Sequence, residues 1–438
     1  MNTISRIQRT YYTAMFLFWF GTALPTALLV LFLQARGLNL FQVGVAMGVY
    51  SLTIVLLEVP TGGLADAIGR KQVALIAYML MAATMTALLF AFSFPLLLIG
   101  FIFYGAGRAL SSGALDAWFV DALQAADPAI NLQPKLAKAG TITLMALGVG
   151  ALLGSALPRL FASLPEDGTA VITPLAIPII GSLALKIVLI IFVSLTVEEK
   201  RPSGSTSGWR QGFQDVPAIV KDAFQLSRHN PTILLLLGTT FAGGLSLASI
   251  ETFWQPRFAA LQSGGVENSL LFGLAMAGSF FAGAVGNIIS TPLSRKLGKR
   301  YALVAALARG LQGLFLILLA LQTAVPLFIP LFWLVYLNMG VLDSPHNTLM
   351  NQEIPSARRS AMLSVQSLAS YVGGAIGSIG LGYLAQQTSV SAVWIIAGSI
   401  LMVSLLLYLQ VDARQKKQKR INESPKAIFA ASEKTNIS

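Results

Sequence analysis

The 438-residue sequence contains no cysteine and only two histidines. The absence of cysteine excludes disulfides, thiolate metal sites and cysteine nucleophiles. The histidines, His229 and His346, lie far apart and offer no metal-ligand spacing. No Gly-x-x-x-x-Gly-Lys sequence is present for binding ATP. We therefore expect no metal and no cofactor, and the sequence lacks the clustered groups that are typical of an enzyme.

Charge is scarce as well. Asp, Glu, Lys and Arg make up 11% of the residues, whereas soluble proteins carry about 25%. Hydrophobic residues account for 55%, and the mean hydropathy is +0.71. A chain so poor in charge cannot cover a surface that faces water, and apolar runs of about 18 residues or more recur along it. These features predict an all-α protein that crosses a membrane many times.

Twelve membrane-spanning helices are predicted, each long enough to cross ~30 Å of hydrocarbon. The first follows two arginines but precedes no convincing cleavage site, so we interpret it as a permanent helix and not as a signal peptide. The predicted spans are 11–34, 41–62, 72–93, 95–123, 135–158, 172–197, 231–260, 267–291, 300–322, 325–350, 357–386 and 390–411.

The basic residues predict the orientation of these spans. Of the 30 Lys and Arg residues, 24 fall on the side of the two termini and three fall in connections on the other side. The positive-inside rule then places both termini in the cytoplasm, and we expect a multi-pass protein of the cell inner membrane. Anionic lipid explains the net charge of +12, so no nucleic-acid partner is expected.

The longest connection divides the chain near its middle. We predict an N-terminal six-helix bundle over 1–197, a cytoplasmic linker over 198–230 and a C-terminal six-helix bundle over 231–411. The basic segment 412–438 is expected to form a disordered cytoplasmic tail.

A glycine-rich, charged link joins predicted spans 2 and 3. Residues 62–71 read Gly-Gly-Leu-Ala-Asp-Ala-Ile-Gly-Arg-Lys, and residues 291–300, after span 8, repeat the pattern with Arg295 at the position of Asp66. Asp121 and Glu353 also occupy corresponding positions after spans 4 and 10. Internal repeats of this kind are typical of transporters.

The link resembles the signature between helices 2 and 3 of the major facilitator superfamily, Gly-x-Leu-Ala-Asp-Arg-x-Gly-Arg-Lys, with Ala67 in place of the first Arg. Twelve spans and the repeat extend this resemblance to residues 10–411. It implies two pseudo-symmetric six-helix bundles and secondary transport by alternating access.

The resemblance also implies a gate. Asp66 is expected to face the N-terminus of helix 11 near Ser356, and Arg70 to pair with Asp121. These contacts would hold the cytoplasmic side closed in one state; the alternative is a static turn with topology-setting bases. The candidate gating residues are Gly62, Asp66, Gly69, Arg70, Lys71 and Asp121.

Arg108 lies inside predicted span 4, where a charge is a functional hypothesis by default. It resembles the buried Arg of helix 4 in proton-coupled drug exporters, although Ser112 stands where that family has glycine. Arg108 either couples substrate and protons or forms a fixed ion pair, with Asp116 and Glu58 as candidate partners. These two carboxylates belong either to a gating network or to a proton site.

Polar residues form stripes on predicted spans 1, 7 and 10, as a central water-filled cavity requires. Asp343 and Glu251 are candidate protonation sites, and His346 is a candidate titrating group. The alternative for each residue is a hydrogen bond between helices. The stripes consist of Trp19, Thr22 and Thr26, of Thr240, Gly244, Glu251 and Trp254, and of Asp343, His346 and Asn347.

A row of small residues lies on predicted span 5. Gly148, Gly150, Gly154 and Pro158 form a helix-packing face. They are only distantly similar to the antiporter motif of drug exporters, because Ser155 follows Gly154 where that motif has proline. Helix packing is the favoured interpretation.

The sequence thus predicts a monomeric, proton-coupled transporter of a small molecule embedded in the lipid bilayer. Export of an amphipathic compound by antiport (efflux) is favoured, because Trp19, Phe253 and Trp254 are expected in the cavity. The alternatives are uptake of a small polar or anionic solute bound by Arg108, and a membrane sensor that transports nothing. Lys186 and Arg309, which also lie inside spans, receive no defined role.

Overall fold

The computed structural model describes residues 3–166, 168–199, 230–262, 266–354 and 359–435, and this part of the chain is helical without any β-strand. Short 3₁₀ segments, Pro174–Ala176 and Val266–Asn268, precede two of the helices, and a π-helix, Gly377–Leu381, joins α13 to α14. The α-helices are α1 (Thr3–Ala23), α2 (Leu29–Ala35), α3 (Leu40–Ile68), α4 (Arg70–Phe90), α5 (Phe94–Ser111), α6 (Ala114–Ala126), α7 (Leu132–Leu160), α8 (Ile177–Thr196), α9 (Pro231–Ala259), α10 (Ser269–Lys296), α11 (Tyr301–Ala320), α12 (Val325–Glu353), α13 (Arg359–Ile376), α14 (Gly382–Gln387) and α15 (Val390–Thr435).

Eleven helical segments of the described residues are long and apolar enough to cross a membrane. The predicted class, an all-α multi-pass membrane protein, is therefore confirmed for this part of the chain. The first predicted span is not among the eleven, because residues 24–28 interrupt it between α1 and α2. Pro25 lies in the interruption, where its missing N–H and its ring oppose a continuous helix.

A second interruption divides predicted span 4 into α5 and α6. Gly113 has a φ of 78°, a left-handed conformation that glycine adopts without steric cost. The preceding residue, Ser112, has an extended backbone. Because of this turn, the side chains of α6 do not continue the helical register of α5.

The prediction of a disordered tail from Asp412 is wrong, since α15 continues to Thr435. Asp412 is buried and accepts hydrogen bonds from Arg300, at the start of α11, at 2.7 Å. Lys416, one turn further along α15, lies 2.9 Å from the same carboxylate. These contacts anchor the helix where the apolar stretch ends, and Lys, Arg and Gln have high helix propensity beyond it.

Successive spans run in opposite directions, which defines two sides of the bundle. We call the side where α1 begins and α3 ends the terminal side, and the other the distal side. Helix α1 packs on α7 and α8, and α11 packs on α12 and α15. We call α1–α8 the early part of the chain and α9–α15 the late part. The two parts meet where α3 contacts α13 and where α7 contacts α10.

The small residues of predicted span 5 lie in such close contacts. A Cβ on Gly154 would lie 1.9 Å from the carbonyl oxygen of Leu24, and one on Gly148 would lie 2.9 Å from the ring of Phe281. No larger residue fits at Gly154 without moving the backbone. This geometry supports the packing interpretation of the glycine row.

Candidate functional site

The link between α3 and α4 contains the ion pair expected from the sequence, between Arg70 and Asp121 at the terminal side. In addition, the backbone N–H groups of Arg70 and Lys71 donate to the two carboxylate oxygens of Glu199 at 2.9 and 2.8 Å. Glu199 follows α8 and thus caps the N-terminus of α4. The sequence does not predict this cap.

Gly69 is required by the same turn. Its φ is 94°, and a Cβ at this position would lie 2.9 Å from Glu199 Oε2. The surroundings of Gly62 and Asp66 lie outside what the structure describes, as does Ser356, where the partner of Asp66 is expected. The contact of Asp66 with predicted span 11 therefore stays a prediction.

Glu58 lies where α3 meets α13. Both of its carboxylate oxygens accept from the hydroxyl of Ser367 at 2.8 Å. This hydrogen bond joins the early and late parts of the chain. The gating role and the proton-binding alternative for Glu58 both stay predictions.

Asp116 is not a partner of Arg108. The hydroxyl of Tyr11 donates to Asp116 at 2.5 Å, and no ion pair joins Asp116 to Arg108. The reason is the turn at Ser112–Gly113, which places α6 outside the register of a continuous helix. The pairing expected from the sequence is therefore wrong, and Asp116 belongs to a contact between α1 and α6.

A central site lies between the early and late parts of the chain. The guanidinium carbon of Arg108, on α5, lies 5.9 Å from the centre of the Trp19 ring on α1. Glu251, on α9, retains exposed surface. Arg108 and Glu251 both lie within electrostatic range of three tyrosines, Tyr50, Tyr104 and Tyr371. A basic and an acidic group, one from each part of the chain, therefore act on the same cluster.

Next to this cluster is a cavity of about 450 Å³ between α9, α11, α12 and α13. Asp343 and Asn347 of the predicted polar stripe line it and are exposed, and His346 lines it from a buried position. Ten of its sixteen lining residues have polar side chains. Besides the stripe, the polar side chains that line it are Thr240, Arg309, Gln312, Gln366, Ser367, Ser370 and Tyr371.

The buried wall of this cavity is a hydrogen-bonded network. His346 Nδ1 lies 2.8 Å from the Tyr408 hydroxyl, and its Nε2 lies 3.2 Å from the Thr240 hydroxyl. Arg309 donates to Gln312 Oε1 at 2.9 Å. Arg309 also lies within electrostatic range of Asp343 and His346. The sequence places Arg309 inside a span but does not show that it meets the stripe on α12.

Two buried donor atoms of these sites, Trp19 Nε1 and Arg309 Nε, have no hydrogen-bond partner in the described part of the chain. Buried donors are normally satisfied, and an unsatisfied one is costly. These donors are suited to a ligand that carries hydrogen-bond acceptors. Within the same part of the chain, no group of three or more His, Asp or Glu side chains is arranged to hold a metal ion.

Trp254 and Phe253 do not line the cavity. Their exposed fractions are 1% and 0%, and both belong to an apolar core. The ring centre of Trp254 lies 5.1 Å from that of Phe332 and 5.9 Å from that of Phe272. The expectation that these two residues line the cavity is therefore wrong, whereas Trp19 lies beside Arg108 at the central site. Helical spacing places Trp254 near the face of Glu251, but the packing of α10 and α12 covers it.

The sequence model of the Major Facilitator Superfamily matches residues 11–308 and 265–435. The chain belongs to this superfamily. A curated relative within it, the uncharacterized MFS-type transporter YxaM of Bacillus subtilis (strain 168), is 22% identical over 385 residues, which cover 86% of this chain and 89% of YxaM. The resemblance seen in the sequence is confirmed. As a superfamily member, the chain is a membrane-embedded secondary transporter of a small molecule.

Solved structures of superfamily transporters share the fold. The nucleoside transporter NupG is 14% identical with a TM-score of 0.72, covering 94% of this chain and 99% of NupG. A bacterial homologue of the human lysosomal transporter Spinster, solved in an inward-facing and unoccupied conformation, is 15% identical with a TM-score of 0.66. That match covers 94% of this chain and 96% of the homologue.

Proposed function

We propose that the chain is a proton-coupled transporter that moves a small polar or anionic solute together with protons by alternating access. Twelve spans form two six-helix bundles, 1–197 and 231–411, joined by the linker 198–230, with both termini in the cytoplasm. The protein acts as a monomer in the cell inner membrane. The observation that carries the proposal is the polar cavity in which the Arg309 guanidinium has an unsatisfied N–H near Asp343.

The substrate class follows from the walls of the two sites. Arg309, Arg108 and the unsatisfied donor on Trp19 provide positive charge and N–H groups. A solute that carries carboxylate, hydroxyl or carbonyl oxygens satisfies them. Two of the three aromatic residues on which the preference for an amphipathic compound depended, Phe253 and Trp254, lie in the core instead.

Coupling follows from competition for Arg309. While Asp343 is ionised, its negative charge attracts the guanidinium and opposes an anionic solute. Protonation of Asp343 removes that charge and frees Arg309 for the solute, so that solute and proton bind together. Glu251 stands in a similar relation to Arg108 across the central cluster. One pair of a base and an acid thus lies within the C-terminal half, and the other joins the two halves.

Proton-driven export is the second candidate. Asp343 and Glu251 are both exposed residues, and a carboxylate can hold either a proton or a cationic part of a solute. If the proton and the cationic solute exclude each other from the carboxylate, the result is antiport, which the sequence favours. In that case the solute and the protons move in opposite directions.

Proteoliposomes that contain a pH-sensitive dye distinguish the two. Nucleosides, dipeptides and monocarboxylates are added outside in turn, without an imposed gradient. We expect one class to acidify the lumen, because inward solute movement carries protons with it. Alkalinisation would establish antiport, and solute flux without any pH change would contradict proton coupling.

Arg309→Gln should abolish the response, whereas Arg257→Gln provides a matched control. Arg257 donates to the carbonyl oxygen of Gln322 on the distal side and lies outside the cavity. An unchanged response in Arg309→Gln would contradict the role given to this side chain. A gating role for the link 62–71 is part of the same proposal, supported by the Arg70–Asp121 and Glu58–Ser367 contacts.

A further inference from the structure

The interruption between α1 and α2 opens one backbone hydrogen bond of the first span. In a continuous α-helix the N–H of Val30 would donate to the carbonyl oxygen of Thr26, four residues earlier. Here residues 24–28 leave the helical path, and α2 begins at Leu29. No side chain within α2 or its N-cap residue caps this new helix start.

Gln255 of α9 occupies the opened hydrogen bond. Its Oε1 accepts from the Val30 N–H at 2.8 Å, and its Nε2 donates to the Thr26 carbonyl at 2.8 Å. The side chain is 2% exposed, and its neighbours in the apolar core include Ala27 and Trp254. A carboxamide from the late part of the chain is therefore inserted between two backbone groups of the early part.

This contact lies on the distal side, where further contacts join the same two parts. The N–H of Leu40 donates to Gln386 Oε1 at 3.0 Å. A Cβ on Gly44 would lie 2.2 Å from the carbonyl oxygen of Ser378. These contacts close the distal side of the structure.

We infer that Gln255 is a conformational latch that exchanges with a backbone hydrogen bond of the first helix. This inference rests on the proposed alternating access. When the distal side opens, Gln255 withdraws into the widening, hydrated cleft. The N–H of Val30 and the carbonyl of Thr26 then bond to each other, so that α1 and α2 join into one helix with a kink at Pro25. The exchange leaves neither of these two backbone groups unsatisfied in either state, which is essential inside a membrane.

The natural absence of cysteine permits a direct test. Spin labels at Ser93→Cys and Gln387→Cys, two exposed distal positions on the early and late parts of the chain, report the opening by distance measurement in nanodiscs. Gln255→Leu removes both hydrogen bonds. We expect it to raise the population at the long distance, relative to that at the short distance, by about tenfold, given the usual strength of hydrogen bonds between membrane helices.

Gln322→Leu is the matched control. Its amide is also near the distal end of a span, but it donates to Leu318 of its own helix. We expect wild-type distances from this variant. Hydrogen exchange of the segment 24–31 should stay slow in Gln255→Leu, because the Val30 N–H then donates to the Thr26 carbonyl. Unchanged distances, or fast exchange without opening, would overturn the latch.

Gln255→Glu keeps the test valid if the leucine variant fails to fold. A protonated carboxyl can accept from Val30 and donate to Thr26, whereas the ionised form can only accept. The short distance should therefore dominate at low pH and the long one at high pH. A distribution independent of pH would contradict the latch. No solute or gradient is used, so a failure of the transport proposal would not be mistaken for a failure of this one.

Discussion

Arg70 at the start of α4 is paired with Asp121 near the end of α6. The Asp121 side chain is 63% exposed, so water and salt screen the pair. We expect the double-mutant cycle of Arg70→Gln and Asp121→Asn to give a coupling energy below about 1 kcal/mol in thermal unfolding. The cycle of Arg300→Gln and Asp412→Asn should give the larger coupling, because the Asp412 side chain is only 10% exposed. The reverse order would contradict this account.

Glu199 should contribute more to stability than its position in a connection suggests. Glu199→Ala removes the acceptor for two N–H groups at the start of α4 and a negative charge from the positive end of the helix. We expect a loss of about 1 kcal/mol in unfolding free energy. Glu199→Gln retains an acceptor oxygen and should lose less. Equal losses for both variants would show that the cap is not responsible.

Trp254→Ala tests the assignment of this residue to the core. The variant removes a ring that packs against Phe332 and Phe272, so the unfolding free energy should fall by about 3–5 kcal/mol. Trp254→Phe should recover most of this stability and transport at the wild-type apparent affinity. A changed affinity in a stable Trp254→Phe protein would place the ring in contact with the solute.

Lys186 is buried between α8 and α1, where it donates to the Thr22 hydroxyl at 2.7 Å and to the Phe18 carbonyl at 3.0 Å. The Thr22 hydroxyl itself donates to that carbonyl, so both groups keep a partner without the lysine. We expect Lys186→Met to melt at or above the wild-type temperature, since an apolar side chain of similar length replaces a buried amine.

Lys186→Ala is the comparison variant. It leaves a cavity and should lose about 2–3 kcal/mol of unfolding free energy. If Lys186→Met is stable but inactive, the amine has a role in transport that the packing does not reveal.

The sequence predicts those features that depend on composition and on local motifs. Apolar runs define most of the spans, and the link 62–71 predicts both the turn at Gly69 and the partner of Arg70. The sequence does not predict how a helix is rotated after an interruption such as the turn at Ser112–Gly113. For that reason Asp116 faces Tyr11 and not Arg108.

The same limit applies to the sites between helices. Trp254 and Glu251 are three residues apart, yet one lies in the core and the other is exposed, because the neighbours of each are distant in sequence. Arg309 and Asp343 meet only through the packing of α11 against α12. Nothing in the sequence indicates the role of Gln255, since its partners are backbone atoms that an interruption in another helix makes available.

The most direct test of the central claim is a comparison of two transport modes in Asp343→Asn. Proteoliposomes are assayed for accumulation driven by a proton gradient and for exchange of solute without a gradient, with Asp127→Asn, in the connection between α6 and α7, as the control. We predict that Asp343→Asn retains solute exchange but loses gradient-driven accumulation, because the neutral side chain mimics the protonated state. Gradient-driven accumulation at the wild-type level in Asp343→Asn would contradict it.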